Sequence, residues 1–213
     1  MAYVLGLIFS DGAIEDVRKS SRTCYLSITS KDRSLLTQVR KAMSSNHRIY
    51  TRQPLIKTFG DGKSYLCSKV FYLRIGNKNI FQDLINLGVT PRKSLRMRFP
   101  NILDRYLGYF IRGYLDGDGC INTYLPKGRK TPKLSVIFTS GSQKFLLKLS
   151  EKISKVIEIN TAQPINHSNG AFDIRYCKSE SLKILAFIYN SLEKAPYLGR
   201  KYNKYQEVKN IFI

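Results

Sequence analysis

Tyr106-Leu-Gly-Tyr-Phe-Ile-Arg-Gly-Tyr-Leu-Asp-Gly-Asp-Gly-Cys-Ile121 reads as an apolar helix that ends on carboxylates. A helix C-terminus carries partial negative charge and is stabilised by Lys or Arg, so Asp116 and Asp118 are unfavourable there unless a cation joins them. A metal ion is the obvious candidate. The pattern occurs again at the start of the chain, as Ala2-Tyr-Val-Leu-Gly-Leu-Ile-Phe-Ser-Asp-Gly-Ala-Ile14, where Gly6 matches Gly113, Asp11 matches Asp118 and Gly12 matches Gly119. The offset is half the chain. In each copy small residues recur four positions apart, Gly6 with Ser10 and Gly113 with Gly117, which leaves a groove on one helix face where another backbone can approach closely. Two such helices packed side by side at Gly6 and Gly113 bring Asp11 and Asp118 together at one end.

Blander readings fit less well. An EF-hand loop needs Gly where Ile121 stands and a bidentate Glu where Lys127 stands. A membrane helix pair needs about 20 apolar residues per span, and neither run approaches that. An ordinary core helix followed by a turn explains one copy, but not two with matched Gly and Asp.

Val4-Leu-Gly-Leu-Ile-Phe-Ser-Asp-Gly12 and Ile111-Arg-Gly-Tyr-Leu-Asp-Gly-Asp-Gly119 resemble the nine-residue signature of the LAGLIDADG homing endonucleases, and two copies in one chain resemble its single-chain, pseudo-symmetric branch. The second copy is the stronger match; the first has Phe9 where the signature has its earlier Asp, but keeps the later one, Asp11, the metal ligand in the family. The resemblance implies an intron-encoded, site-specific DNA endonuclease that works as a monomer. It would make a double-strand break across the minor groove and leave short 3′ overhangs. Asp11 and Asp118 would share two or more Mg²⁺ ions, with the carbonyls of Ser10 and Gly117 as further ligands. By the same resemblance Lys93 and Lys201, near the start of the last helix of each half, would polarise solvent or stabilise charge on phosphate. A polar residue positioning water would fall at Ser27 and Ile137, where Ile137 is a poor fit. The alternative is a non-cleaving nucleic-acid-binding protein on the same scaffold, an intron-RNA maturase or a DNA-binding regulator.

Composition points to the same class of partner. Lys and Arg number 36 against 15 Asp and Glu in 213 residues, a net charge of +21, whose self-repulsion opposes a compact fold unless a polyanion is the working partner. Double-stranded DNA is the expected partner, and intron RNA a second. Cys24, Cys67, Cys120 and Cys177 lie far apart with no Cys-x-x-Cys pair, which argues against zinc ribbons and redox motifs and suggests reduced thiols. With only His47 and His167, a metal must sit on oxygen ligands, which suits Mg²⁺. No signal peptide or anchor is apparent. The expected location is intracellular, in nucleoid, cytoplasm or organelle matrix. The first motif begins almost at Met1 and leaves its helix little room for an N-cap, as expected if residues precede it in a longer chain.

Away from the motifs, hydrophobic periodicity predicts strands at Glu15–Lys19 and Thr23–Thr29, a helix over Lys31–Ser44, and a strand from Arg48 to Phe59. That strand turns through Gly60-Asp-Gly62 into Tyr65–Ile75. A helix over Asn79–Leu87 ends at Gly88. The second half repeats the plan: strands at Cys120–Leu125 and Lys133–Thr139, a helix over Gly141–Lys155, a hairpin from Ile157–Pro164 and Ala171–Tyr176, and helices over Lys178–Tyr189 and Arg200–Ile211. Thr29-Ser30 aligns with Thr139-Ser140, and Arg74 with Arg175. The expected class is α+β, with two pseudo-symmetric α-β-β-α-β-β-α halves whose antiparallel sheets form a DNA-binding saddle around two central helices. Residues 1–89 and 105–213 are the halves, joined by a basic linker at 90–104. Outward strand and loop residues then face nucleic acid: Arg18, Tyr25, Ser27, Tyr50, Arg52, Lys57, Arg74, Tyr124, Lys127, Arg129, Lys133, Asn166 and Arg175. Most of the basic ones are phosphate contacts rather than base readers. Because the two sets differ, an asymmetric target is expected.

Overall fold

The computed structural model of the chain describes residues 1–15, 24–58, 60, 62–159, 163–168 and 170–212. Two helices, α1 (Ala2–Asp11) and α4 (Asp104–Asp118), pack against each other at the centre. Their crossing is close enough to exclude side chains. A Cβ added at Gly6 would lie 2.0 Å from the Phe110 carbonyl oxygen, and one at Gly113 would lie 2.0 Å from that of Tyr3. Phe110 precedes Gly113 by three positions, as Tyr3 precedes Gly6. The contact therefore has the two-fold character read from the repeat.

Each central helix feeds an antiparallel sheet. β1 (Gly12–Ile14), β2 (Tyr25–Ser30), β3 (Ile49–Arg52) and β6 (Val70–Gly76) form the first, in the order β1-β2-β6-β3. β7 (Gly119–Tyr124), β8 (Lys133–Ser140), β9 (Ile165–Ser168) and β10 (Ala171–Tyr176) form the second, in the equivalent order β7-β8-β10-β9. Residues two apart along a strand share a face. Leu26, Ile28, Leu73 and Ile75 are buried beneath α2 (Arg33–Ala42) and α3 (Lys78–Asn86). In the second half Leu134, Val136, Phe138 and Ile174 lie beneath α5 (Gln143–Ile157) and α6 (Lys178–Tyr189). The opposite face of each sheet is left open. Between the halves, Phe9, Phe99, Phe110, Tyr114 and Phe145 form an aromatic cluster with centroids 4.7–6.0 Å apart. Burying each such ring contributes roughly 2–3 kcal/mol.

The structure moves several expected boundaries. The first strand is β1, earlier than Glu15–Lys19; Glu15 follows it, and residues 16–19 lie outside the described residues, as does Asp61 of the Gly60-Asp-Gly62 turn. Of the strand expected at Ile157–Pro164, residues 160–162 lie outside the described residues, and the described ones form none. Helix α5 continues to Ile157 and ends at Glu158 with a left-handed φ of 51°, because Val156, Ile157 and Ile159 pack on the core and draw the chain inward. The strand starts instead at Ile165. The long Arg48–Phe59 strand divides beyond Arg52: β4 (Leu55–Thr58) and β5 (Ser64–Cys67) pair only with each other, as a two-stranded ribbon on the first half.

Residues 90–104 pack into the fold. Lys93, Met97, Pro100 and Ile102 are buried, and Met97 O accepts a 2.6 Å hydrogen bond from Ser142 Oγ at the start of α5. Reciprocally, the segment before α7 (Gly199–Phe212) docks on the first half. Gln38 of α2 exchanges two 3.2 Å hydrogen bonds with the backbone of Tyr197. No helix among the described residues is long and apolar enough to cross a membrane.

Substituting Gly113 by Ala should cost 1–3 kcal/mol or more, since overpacking of backbone against backbone has no rotamer to relax into. Gly199→Ala, where a Cβ meets nothing within 4 Å, should be nearly neutral. Urea unfolding of both variants checks this; equal stability would mean that the helices do not cross at this glycine.

Candidate functional site

Asp11 and Asp118 are the last residues of α1 and α4, and both helices end into the first strand of a sheet, at Gly12 and Gly119. The glycine crossing is what makes those ends meet. A Cβ on Gly117 would lie 2.0 Å from Ser10 Oγ and 3.2 Å from Asp11 Oδ2, so a side chain at Gly117 would push into the opposite helix end. Partial burial, and then the charge of Asp118, push the Asp11 carboxyl up to about 6. Burial also raises Asp118, against the pull of Lys93 and Lys201. Two acids facing each other in this way form a site that a divalent cation would stabilise.

The cation expected at each helix end is present as a buried lysine. Lys93 Nζ donates to the carbonyls of Ser10 at 3.0 Å and Gly12 at 2.7 Å. Lys201 Nζ donates to Leu115 O, to Asp116 O at 2.9 Å and to Gly119 O at 2.6 Å. Gly12 and Gly119 are equivalent, so both lysines bridge the last turn of a motif helix to the strand after it. They satisfy carbonyls that a helix leaves without partners and offset its negative end. Burial lowers both ammonium groups, Lys201 to about 8, with nearby carboxylates opposing the change.

Asp116 is not part of this site. Its carboxylate is buried and accepts hydrogen bonds from Tyr3 OH at 2.6 Å and Leu198 N at 2.8 Å, tying α1 and the approach to α7 onto α4. Since Leu198 lies just before Lys201, this acid sets where that lysine starts. Phe9 holds the equivalent place in the first half and stacks on Phe145 at 6.0 Å. Arg112, fully buried, donates to the carbonyls of Ile188 at 3.2 Å and Ala195 at 3.0 Å. A charged side chain inside an apolar helix was the signal for this second buried network, and the repeat does not carry it.

Two metal-ligand carbonyls expected from the sequence are at the helix ends, and that of Ser10 already accepts from Lys93. Among the described residues no three His, Cys, Asp or Glu side chains cluster as a metal site. The donors present are therefore two carboxylates and backbone carbonyls, a set that fits Mg²⁺, which is held by one or two carboxylates plus waters and substrate oxygens. Register supports the pairing of Ser27 with Ile137. Ser27 lies between Ala13 and Arg74, and Ile137 lies between Cys120 and Arg175 in the same arrangement. Ile137 is therefore the strand equivalent of Ser27, with an apolar side chain where the first half has a hydroxyl.

Around this centre, Tyr25, Ser27, Tyr50, Arg52 and Arg74 lie on the open face of the first sheet. Tyr124, Lys133, Asn166 and Arg175 lie on that of the second, with Lys127 and Arg129 exposed in the loop between β7 and β8. Lys57 is exposed on the ribbon, and Arg18 lies outside the described residues. Equivalent positions differ: Tyr50 and Tyr72 stack at 5.2 Å, where Asn166 instead donates to Asp173 at 3.2 Å. Glu15, absent from the expected set, holds Arg74 through two hydrogen bonds.

Residues 111–212 match a family model described as LAGLIDADG endonuclease. No curated protein matches the chain. Among solved structures, the LAGLIDADG homing endonuclease I-GzeII in complex with its DNA target is 14% identical, aligned over 98% of this chain and 88% of its own, with a TM-score of 0.62. Mesophilic variants from the homing endonuclease I-DmoI are 20% identical over 89% and 94%, with a TM-score of 0.57. I-LtrWI bound to target DNA is 14% identical over 99% and 88%, at 0.56. These likenesses establish the fold.

Two outcomes test the electrostatics. A carboxyl raised from about 3.9 unfolded to about 6 folded binds more protons in the native state, so stability falls as pH rises through that window. In chelator, Asp11→Asn should be the more stable protein at pH 7, by about 1 kcal/mol after solvent screening. Urea titrations should show that gap closing below about pH 4; a gap independent of pH would remove Asp11 from the paired site. Lys93→Met and Lys201→Met should each lose about 1–3 kcal/mol by leaving buried carbonyls without donors, whatever they do to activity. Thermal unfolding reads this, and unaltered melting would mean that the lysines do not hold the helix ends.

Proposed function

On the premise that the chain carries the LAGLIDADG family's domain in its second half and that family's fold throughout, we propose that it is a site-specific double-stranded DNA endonuclease. The observation that carries this reading is the meeting of Asp11 and Asp118 at the joined helix ends, from which the two open, basic sheet faces begin. A protein that only binds nucleic acid gains nothing from two carboxylates held face to face against anionic phosphate. The halves are taken as residues 1–89 and 105–213 with 90–104 joining them, in one chain that acts as a monomer.

Asp11 and Asp118, with the carbonyls of Ser10 and Gly117, would hold Mg²⁺, which when bound serves the attacking and leaving oxygens of an in-line displacement. Each carboxylate comes from one half, so each faces one strand of a duplex lying across the sheets. Lys93 and Lys201 fix the helix ends that carry the carboxylates and place positive charge beside the scissile phosphates. Ser27 can orient water by hydrogen bonding in the first half. Ile137 cannot, so the two strand cuts are expected at unequal rates. Exposed Arg52, Lys57, Lys127, Arg129 and Lys133 neutralise phosphates along the duplex, and Tyr25, Tyr50, Tyr124, Asn166 and the two arginines of the central strands meet base edges. The products would carry short 3′ overhangs.

Incubation with Mg²⁺ and a randomised duplex library, followed by sequencing of the ends, should yield one long, non-palindromic site. On that site Asp11→Asn and Asp118→Asn should abolish cutting while binding stays within a few-fold. Undiminished cutting by either variant would refute the paired-metal reading. Binding by the unaltered protein with no cutting in Mg²⁺ or Mn²⁺ would instead make it a binding protein on this scaffold. Binding should also fall by orders of magnitude between about 50 and 200 mM salt, as several phosphates are neutralised; a flat response in filter binding would contradict the saddle.

A further inference from the structure

Glu15 is an acid on a face that should repel acids. It follows β1 on the same side as Ala13, in a chain of net charge +21. Its carboxylate grips one edge of Arg74: Nε donates to Oε1 at 2.9 Å and Nη2 to Oε2 at 2.8 Å. The guanidinium carbon also lies 3.7 Å from the centroid of the Tyr25 ring. The two charged side chains remain 41% and 35% exposed, so solvent screens even this two-bond pair, and its contribution to stability is small against the cost of a carboxylate facing a polyanion. Stability therefore does not account for a carboxylate facing a polyanion.

Orientation does. A guanidinium presents five N–H donors in one rigid plane. The grip engages the side edge, Nε and one hydrogen of Nη2, and leaves the end of the fork, Nη1 and the other Nη2 hydrogen, directed away from Glu15. That end matches the O6 and N7 acceptors of guanine in the major groove. A phosphate contact needs no such fixed plane and would be weakened by the neighbouring carboxylate.

The second half lacks the device. Glu15 N bonds to Tyr25 O at 3.1 Å, and the strand positions equivalent to these two are Asn122 and Ser135. Arg175, equivalent to Arg74, shares its face with Asp173 two positions earlier but makes no hydrogen bond or ion pair with it or with any other of the described residues. One central arginine is held; the other has no such partner among the described residues.

We propose that Glu15, Arg74 and Tyr25 form a base-reading unit, in which Glu15 and Tyr25 position Arg74 to read a single guanine in the half-site beneath the first sheet. Glu15 is a positioning residue; Arg74 makes the base contact. The inference rests on the reading of this chain as a DNA-binding protein, and it does not require cleavage.

Selection from a randomised duplex library in chelator, with no cutting, tests it. The unaltered protein should enrich a site with a strong guanine preference at one position. Arg74→Ala should lose that preference, and Glu15→Gln should reduce it about tenfold while the other positions hold. The salt dependence of binding to the selected site should stay the same in Glu15→Gln, since no phosphate contact is removed. Matched circular dichroism and melting curves establish that both variants are folded. If positional preferences are unchanged in both variants, the unit is refuted. It is also refuted if Glu15→Gln tightens binding to all sequences with a steeper salt slope, because Glu15 would then only oppose a phosphate-binding arginine. Loss of Mg²⁺ cleavage with this profile intact would count against the endonuclease reading alone, whereas an unaltered protein that enriches no sequence overturns both.

Discussion

Where α1 crosses α4, the space that a methyl group would occupy on Gly6 or Gly113 is filled by the carbonyl of the opposite helix, 2.0 Å from the Cβ position. Everything functional in the molecule is downstream of that contact. If the helices were held apart by side chains at these positions, the helix ends would separate, and Asp11 and Asp118 would be two unrelated surface acids. Held together, they are close enough that partial burial, with the charge of Asp118, pushes the Asp11 carboxyl up to about 6. The crossing also fixes the relative position of the two sheets, because each begins at the residue after its helix. Packing, electrostatics and the placement of both open faces are thus set by one close approach.

The second constraint is how the protein tolerates acids at negative helix ends. Lys93 and Lys201 arrive from segments remote in sequence and place ammonium groups among the terminal carbonyls. Lys93 is supplied by a stretch that looks like a connection, and Lys201 by the first turn of α7. The segment containing Lys93 is buried against α5, and the segment before Lys201 is tied to α2 and to Asp116. Each half therefore relies on the other to seat its lysine. This interlock ties the two halves together despite the repeat.

Duplication has been followed by divergence at equivalent places. Asp116 is a buried hydrogen-bond acceptor, whereas Phe9 packs among rings; Ser27 is polar and Ile137 is not; Arg74 is gripped and Arg175 has no such partner among the described residues. The backbone positions stay in register, so these differences change chemistry without changing geometry. The result is an asymmetric surface on a symmetric frame, in keeping with the non-palindromic target proposed above.

The repeat, its glycines and its two acids were legible in the sequence because helix crossing demands small residues at fixed spacing, and because Asp-Gly ends a helix in a recognisable way. Strand alternation also marked the open faces, and hence nearly all the exposed polar residues on them. The repeat singled out Asp118 as the counterpart of Asp11, but the sequence could not say what Asp116 does instead. Both stand at a helix end, and only packing turns one toward Tyr3 and Leu198 and the other toward Asp11. Nor could it show Ile157 as helix rather than strand, or Glu15 as the partner of Arg74. Those outcomes depend on which surfaces meet, and contacts between residues far apart in the chain leave no periodic trace in it.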